Sequence, residues 1–207
     1  MDLTPTILEG DIVRLEPLSS VHIDALTTAG ADPSVFRWTQ LPGMRWTYEQ
    51  GCLAAPTREL VAGYVEQAQS WQKAGTALPF ATVAKSLGRA VGSTRFANID
   101  VANKRAEIGW TWLANDWQRS GANTEAKYLM LRHAFERMGC IRVEFKTDRR
   151  NEKSRAALLR IGAIQEGILR HHFVLPDGTL RDSVYFSVLD NEWPRVKSEL
   201  EAKLKRK

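Results

Sequence analysis

The sequence predicts an α/β fold (α+β in its layering), a mixed and mostly antiparallel sheet flanked by helices, and three observations carry that prediction. Residues 105–114 are rich in aromatic and β-branched side chains, read as a strand, and lead straight into a glycine-bearing turn that opens a helix. Residues 140–146 alternate apolar and polar as a half-buried strand does, and turn chemistry at 147–151 precedes a second short helix over 151–163. Two further strand-like runs, 78–85 and 90–99, stand before the first of these and with it give three consecutive antiparallel candidates.

In chain order, residues 10–18 form a strand and 20–29 a helix, followed by a turn-rich segment over 30–50 that contains Trp38, Pro42, Gly43 and Trp46. That segment is a candidate substrate wall. Exposed Trp38 and Trp46 side chains would receive an apolar or cationic acceptor; otherwise they pin the loop to the core. Residues 57–74 repeat apolar side chains at Leu60, Val61, Tyr64, Val65, Ala68 and Trp71, as a helix buried on one face does. Gly88 joins the strands over 78–85 and 90–99, and Val101, Ala102 and Asn103 turn the chain into the strand at 105–114. The helix after the glycine turn places Ala126, Leu129, Met130, His133, Ala134 and Met138 at helical spacing and ends at Gly139. His133 lies within that stripe as a packing residue. The second short helix closes on Gly162.

The chain has 207 residues, no internal repeat and no low-complexity tract, so a single domain over 1–207 is expected. No apolar run approaches the roughly 20 residues of a membrane helix, and the N-terminus lacks a basic segment followed by an apolar one; the expectation is a cytoplasmic protein with no membrane contact. Cys52 and Cys140 are far apart and lack metal-ligand spacing, so no metal site is expected and both read as small hydrophobes. The formal charge of +5 raises nucleic-acid binding. Basic residues are nevertheless dispersed, and the one dense cluster, Lys203, Lys205, Arg206 and Lys207, reads as a solvated tail, so a nucleic-acid partner is not expected. A modest positive balance also suits a cofactor carrying several phosphates.

The turn from Trp117 to Ala126 has the chemistry of a pyrophosphate cradle. A glycine-bearing turn that opens a helix leaves backbone N–H groups without partners, and the helix dipole adds about half a positive charge there. Gln118, Gly121 and Asn123 resemble the Q/R-x-x-G-x-G/A signature of the GNAT acetyltransferases, with Asn123 in place of the last small residue. Asn151, Ser154 and the Ile161-Gly162-Ala163 end resemble the N-x-x-S/A…L-G-F/A segment of the same superfamily. Residues 8–18, 164–172 and 177–189, with Glu192-Trp193-Pro194, extend the likeness to the RimJ/RimL branch, named for acetylating the N-termini of ribosomal proteins.

That resemblance implies a GNAT fold of about seven strands, with its central strands splayed around acetyl-CoA, and an acetyl-CoA-dependent N-acetyltransferase acting by direct attack of a primary amine. The acceptor is a peptide or protein N-terminus or a small-molecule amine, no metal is required, and a homodimer is left open by relatives that are often dimers. A non-catalytic acyl-CoA-binding regulatory module of the same fold is the alternative. Cofactor contacts fall on Trp112, Leu113, Gln118, Arg119, Ser120, Gly121, Ala122, Asn123, Thr124, Asn151, Ser154 and Arg155, with Leu113 contributing backbone groups freed by the splay.

Transfer of an acetyl group from a thioester to an amine requires a base for the amine and a proton for the leaving thiolate. Glu107 is the candidate base, at a position similar to the fourth-strand glutamate of several GNAT enzymes; a purely structural pairing with Arg105 or Arg142 is the competing reading. By strand alternation Glu107, Gly109, Thr111 and Leu113 share one face. Many relatives carry a tyrosine acid where this chain has Leu158. Ser183, Tyr185 and the His171-His172 pair remain as candidates near the sheet end, Ser183 and Tyr185 for catalysis and His171 for the substrate.

Overall fold

The computed structural model describes residues 1–47 and 49–205; Arg206 and Lys207, the end of the basic cluster, and Tyr48 in the turn-rich segment lie outside the described residues. The first strand expected over 10–18 is in fact a hairpin, β1 (Leu8–Glu9) with β2 (Val13–Pro17). It breaks because Gly10 N–H returns to Val13 C=O at 3.0 Å, and the N–H groups of Asp11, Ile12 and Val13 all donate to the Glu125 carboxylate at 2.7–2.9 Å. A buried acceptor from elsewhere in the chain thus decides a turn that the local sequence leaves ambiguous.

A 3₁₀ turn over Ser20–His22 runs into α1 (Ile23–Ala29). The segment read as loop contributes β3 (Trp46–Thr47), which pairs with β4 (Gly51–Cys52) just beyond it in a small two-stranded ribbon. Then follow α2 (Arg58–Lys73), β5 (Leu78–Ala84), β6 (Arg89–Asp100), β7 (Arg105–Leu113), α3 (Ala122–His133), β8 (Arg142–Asp148), α4 (Glu152–Arg160), β9 (Ile164–Val174), β10 (Leu180–Leu189) and α5 (Trp193–Lys205). Thr57 caps α2 by accepting from Leu60 N–H, and Gly139 (φ 71°) ends the widened last turn after α3 in the left-handed region.

The main sheet has eight strands in the order β1-β2-β5-β6-β7-β8-β10-β9. Every neighbouring pair is antiparallel except β7 and β8, whose parallel pairing requires the crossover that α3 supplies. Each face of the sheet carries its own apolar core. One contains Val13, Phe80, Phe96, Ala106, Ile108, Leu113, Phe145 and Phe186 packed with Ala126, Leu129 and Met130 of α3 and Val196 of α5. The other packs Leu26, Phe36, Leu41 and Trp112 with Val61, Tyr64, Val65 and Ala68 of α2, each fully buried side chain contributing about 1.5–3 kcal/mol. Cys140 lies in the first core and Cys52 in the second, unpaired, and burial pushes the Cys140 thiol up to about 11. Among the described residues, no helix is long and apolar enough to cross a membrane.

Glu125 is 4% exposed and stands in the first turn of α3, where the helix dipole favours a carboxylate. Replacing Glu125 with Ala strands three backbone donors and is expected to destabilise the fold by about 3 kcal/mol, read as a lower midpoint in thermal unfolding followed by circular dichroism. Glu125→Gln, which keeps one acceptor oxygen, should lose less; equal stability of all three proteins would show that the contact does not hold the hairpin.

Candidate active site

The parallel pairing of β7 with β8 lasts three residues, Arg105 with Arg142, Ala106 with Val143 and Glu107 with Glu144. Beyond Glu107 the strands part, which leaves the β8-facing backbone edge of residues 108–113 without a strand partner on that side. The divergence coincides with a β-bulge against β6, where Ser93 opposes Trp112 and Arg95 opposes Gly109, so that Thr94 alone faces both Trp110 and Thr111. Trp110 takes a left-handed conformation (φ 53°). One extra residue inverts the alternation that follows. Ile108, Leu113 and Thr111 face α3, whereas Trp110 and Trp112 join the core under α2. The expectation that Glu107, Gly109, Thr111 and Leu113 share one face is therefore corrected: Glu107 and Gly109 lie on the α2 side and Thr111 and Leu113 on the α3 side.

A left-handed tryptophan costs on the order of 1–3 kcal/mol. Arg95 offsets that cost. Its guanidinium is fully buried, makes no hydrogen bond among the described residues, and sits 4.6 Å from the Trp110 ring, 4.9 Å from Trp71 and 5.0 Å from Tyr64. Desolvated cation–π contacts reach about 2 kcal/mol each, enough to hold the bulged residue against α2.

Glu107, 5% exposed, is at the apex of the divergence. The partners of the competing structural reading, Arg105 and Arg142, are replaced by Asn98 Nδ2 at 2.9 Å and Lys146 Nζ at 3.2 Å, both on Oε2. Arg105 and Arg142 turn to Glu144 instead. Oε1 has no hydrogen bond among the described residues and lies over Gly109, where a Cβ would approach it to 3.0 Å. Lys146 was not singled out from the sequence, although Arg142, Glu144 and Lys146 alternate on one side of β8. Tyr185, half-buried, pairs with Lys146 across β8 and β10, and its ring is 5.9 Å from Lys146 Nζ. Burial, then the Glu107 and Glu144 carboxylates, raises the Tyr185 pKa, so its hydroxyl stays protonated at neutral pH. Ser183 is fully buried in β10, and its hydroxyl makes no hydrogen bond among the described residues. His171 is exposed on β9 in a left-handed conformation (φ 48°), its N–H bound to Asp182 at 2.9 Å. His172, not His171, contacts the Tyr185 ring, at 5.7 Å.

At the other end of the open edge is the glycine turn. The αL position is filled by Arg119 (φ 58°), and Gly121 is right-handed (φ −66°). Ser120 Oγ accepts from Ala122 N–H at 3.1 Å. The N–H groups of Arg119, Ser120, Gly121, Asn123 and Thr124 make no hydrogen bond among the described residues, so five donors are open around the start of α3. That arrangement fits an anion bearing several oxygens, and the open strand edge leading away from it fits an extended arm with amide groups. Two expected cofactor contacts are used internally. Gln118 Nε2 turns back to Leu113 C=O at 3.1 Å and Asn115 at 3.0 Å, which also occupies part of the backbone expected to be free at Leu113. The Trp112 side chain packs on Phe36 (4.9 Å) in the second core, leaving its backbone alone for any ligand. Asn151 caps α4 by accepting from Ser154 N–H at 3.1 Å, and Arg155 reaches Arg149 C=O at 3.2 Å, which ties these residues to the turn that follows β8.

The turn-rich segment lies over the α2-side face of β7. Thr39 Oγ1 reaches Thr111 C=O at 3.4 Å, and Trp38 has the Arg37 guanidinium at 4.3 Å and that of Arg150, just past β8, at 5.7 Å. Trp38 thus stands between the segment and the end of β8, whereas Trp46 is packed against the second core. On the α3 side, Lys127 is buried with its Nζ 2.7 Å from Thr111 Oγ1. It went unnoticed in the sequence, although a lysine four residues after Asn123 and three before Met130 occupies the sheet-facing stripe of that helix.

Comparison with known proteins identifies the family. A model of the GNAT acetyltransferase domain matches residues 13–164. YdaF of Bacillus subtilis strain 168, provisionally named a ribosomal N-acetyltransferase, is 37% identical over 106 residues, covering 51% of this chain and 57% of its own length. The curated relatives are matched over 55–66% of their lengths. A solved acetyltransferase structure from T. thermophilus, also provisionally named, is 38% identical with a TM-score of 0.83, covering 99% of this chain and 100% of that one. Mycobacterium smegmatis RimJ, solved with CoA-disulfide, shares the fold at a TM-score of 0.77 and 24% identity, over 96% of this chain and 92% of its own. With the domain match spanning most of the chain, the protein belongs to the GNAT acetyltransferase family.

Proposed function

We propose that this protein is an acetyl-CoA-dependent N-acetyltransferase that passes an acetyl group to a primary amine by direct attack, the described residues acting as one domain. The observation that carries the reading is the conjunction of a five-donor turn with a strand edge opened beyond Glu107. When bound, acetyl-CoA would supply an acetyl group activated as a thioester. The N–H groups of Arg119, Ser120, Gly121, Asn123 and Thr124 would hold its pyrophosphate, with the α3 dipole adding attraction. Backbone groups of residues 109–113 would bind the pantetheine amides, and Asn151, Ser154 and Arg155 would border the arm from α4.

Glu107 would take the proton from the acceptor amine. Its Oε2 is fixed by Asn98 and Lys146, which aims Oε1 along β7 toward the bulge. Tyr185 can donate a hydrogen bond from the same face, and Ser183 is the adjacent hydroxyl along β10. Trp38 and His171 would line the acceptor side, Trp46 supporting the segment from behind. The name of YdaF, a ribosomal N-acetyltransferase, favours a protein amine as acceptor over a small-molecule amine.

Glu107→Gln preserves shape while removing the base, and is expected to leave acetyl-CoA affinity within a few-fold of wild type and to lower amine-dependent thiol release by roughly 10²-fold or more. Calorimetric titration with acetyl-CoA, run beside a thiol-release assay over amines and short peptides, checks both parts. Unchanged turnover would remove Glu107 as base; wild-type binding without release by any acceptor would favour the non-catalytic acyl-CoA-binding module.

Since the φ of Gly121 is open to any residue, a glycine there serves close approach rather than backbone freedom. Gly121→Val, in protein shown to be folded by circular dichroism, should therefore weaken acetyl-CoA binding about tenfold or more. Undiminished affinity in the folded variant would place the pyrophosphate elsewhere.

A further inference from the structure

Lys127 is used by none of these steps. It is 6% exposed on the sheet side of α3, its Nζ donates to Thr111 Oγ1 at 2.7 Å, and it lies 6.0 Å from the Phe145 ring. Thr111 belongs to β7 and Phe145 to β8, so the amine sits beneath the gap between the two strands, past the point where their pairing ends. Thr111 Oγ1 is in turn 2.8 Å from Thr94 Oγ1, which fixes the hydroxyl that receives the amine.

No carboxylate lies within ion-pair distance of Lys127 among the described residues. Glu125, nearby on α3, is committed to the β1–β2 turn, and His133, further along the helix, packs on Phe96. Glu107 and Lys146 are on the opposite face of the sheet. A buried ammonium with one hydroxyl partner is costly, and burial alone lowers the Lys127 pKa from 10.5 to about 7. At neutral pH the protonated and neutral forms are then both populated, which is the condition a proton donor requires. As an ammonium, the group has two further N–H bonds and no acceptor for them among the described residues.

We propose that Lys127 serves the sulfur end of the thioester arm held between β7 and β8, donating to the sulfur that leaves. The proposal rests on the acetyltransferase reading and supplies the proton donor for which Leu158, in the place of a helix tyrosine, offers no group. As the acceptor nitrogen bonds to the acetyl carbon, the C–S bond breaks and its electron pair stays on sulfur. An N–H bond of the Lys127 ammonium then gives its proton to sulfur, leaving a neutral amine. The acceptor nitrogen gives its own proton to Glu107. After the products leave, Glu107 releases one proton to solvent and Lys127 regains one, so the enzyme returns to its starting state.

The test follows the thiol of bound coenzyme A by thiolate ultraviolet absorbance across a pH series, as difference spectra against ligand-free protein, in wild type, Lys127→Met and Lys127→Gln. In wild type the bound thiol is expected to ionise about one pH unit or more below free coenzyme A, a tenfold change in its ionisation equilibrium. Both variants should bring it back to the free value, with coenzyme A affinity within about threefold of wild type and turnover lower by about 10²-fold. Identical thiol titrations in wild type and variants would overturn the proposal, as would loss of affinity without any change in the thiol titration, which would put the amine against another part of the arm. Failure of coenzyme A to bind wild type would overturn the acetyltransferase reading itself, an outcome separate from binding with an unshifted thiol.

Discussion

The parting of β7 from β8 after the Glu107–Glu144 pair is the constraint on which the rest of the structure depends. A strand edge inside a sheet has backbone groups that must find partners, and leaving such an edge open is unfavourable unless something occupies it. Three features hold the edge open. The parallel pair is joined only through α3, which lies across one face; Trp110 inserts an extra residue into β7 and twists it away; and Arg95 grips Trp110 against α2 with three aromatic contacts and no competing hydrogen bond among the described residues. A hydrogen-bonded arginine would be drawn to its acceptor, whereas an aromatic box directs all of its attraction to the rings, one of which is the bulged residue.

The helix that bridges the two strands is used at three heights. Its N-terminus gathers five unpartnered backbone donors, the first turn turns Glu125 away to pin the β1–β2 hairpin, and the second turn places Lys127 under the gap. These roles are mutually consistent. Glu125 sits close to the anion-attracting end of the helix, with its carboxylate engaged by three amide donors of the β1–β2 turn. The sheet then separates ionisable groups by face, with Glu107, Lys146 and Tyr185 on one side and Lys127 on the other. In the proposed reaction, a thin layer crossed by an open edge lets an acid and a base approach one centre without neutralising each other.

Much of this was legible in the sequence. The strand–turn–helix unit at 105–139, the strand at 140–146 and the helix closing on Gly162 all declare themselves through periodicity and turn residues, and they reappear as β7, α3, β8 and α4 with ends moved by a few residues. The Gln118-to-Asn123 turn was readable because the placement of its backbone donors is encoded by a short local motif. Local chemistry also marked Glu107 as an acid on a strand, and Cys52 and Cys140 as small buried side chains.

What the sequence by itself determined is therefore the identity and order of the elements and the family to which they belong, since these follow from hydrophobic period, capping and turn chemistry within a few residues. Tertiary structure alone decided which groups meet. The bulge at Trp110 reverses the face of every later residue in β7, and no periodic pattern reveals an inserted residue until its partner strand is known. The break between β1 and β2 depends on a carboxylate more than a hundred positions away. Likewise Lys146 meets Glu107, and Lys127 meets Thr111, only because the crossover brings separate strands together around an opening. Electrostatic environment is set by those long-range neighbours and by exclusion of water, neither of which is encoded in local spacing.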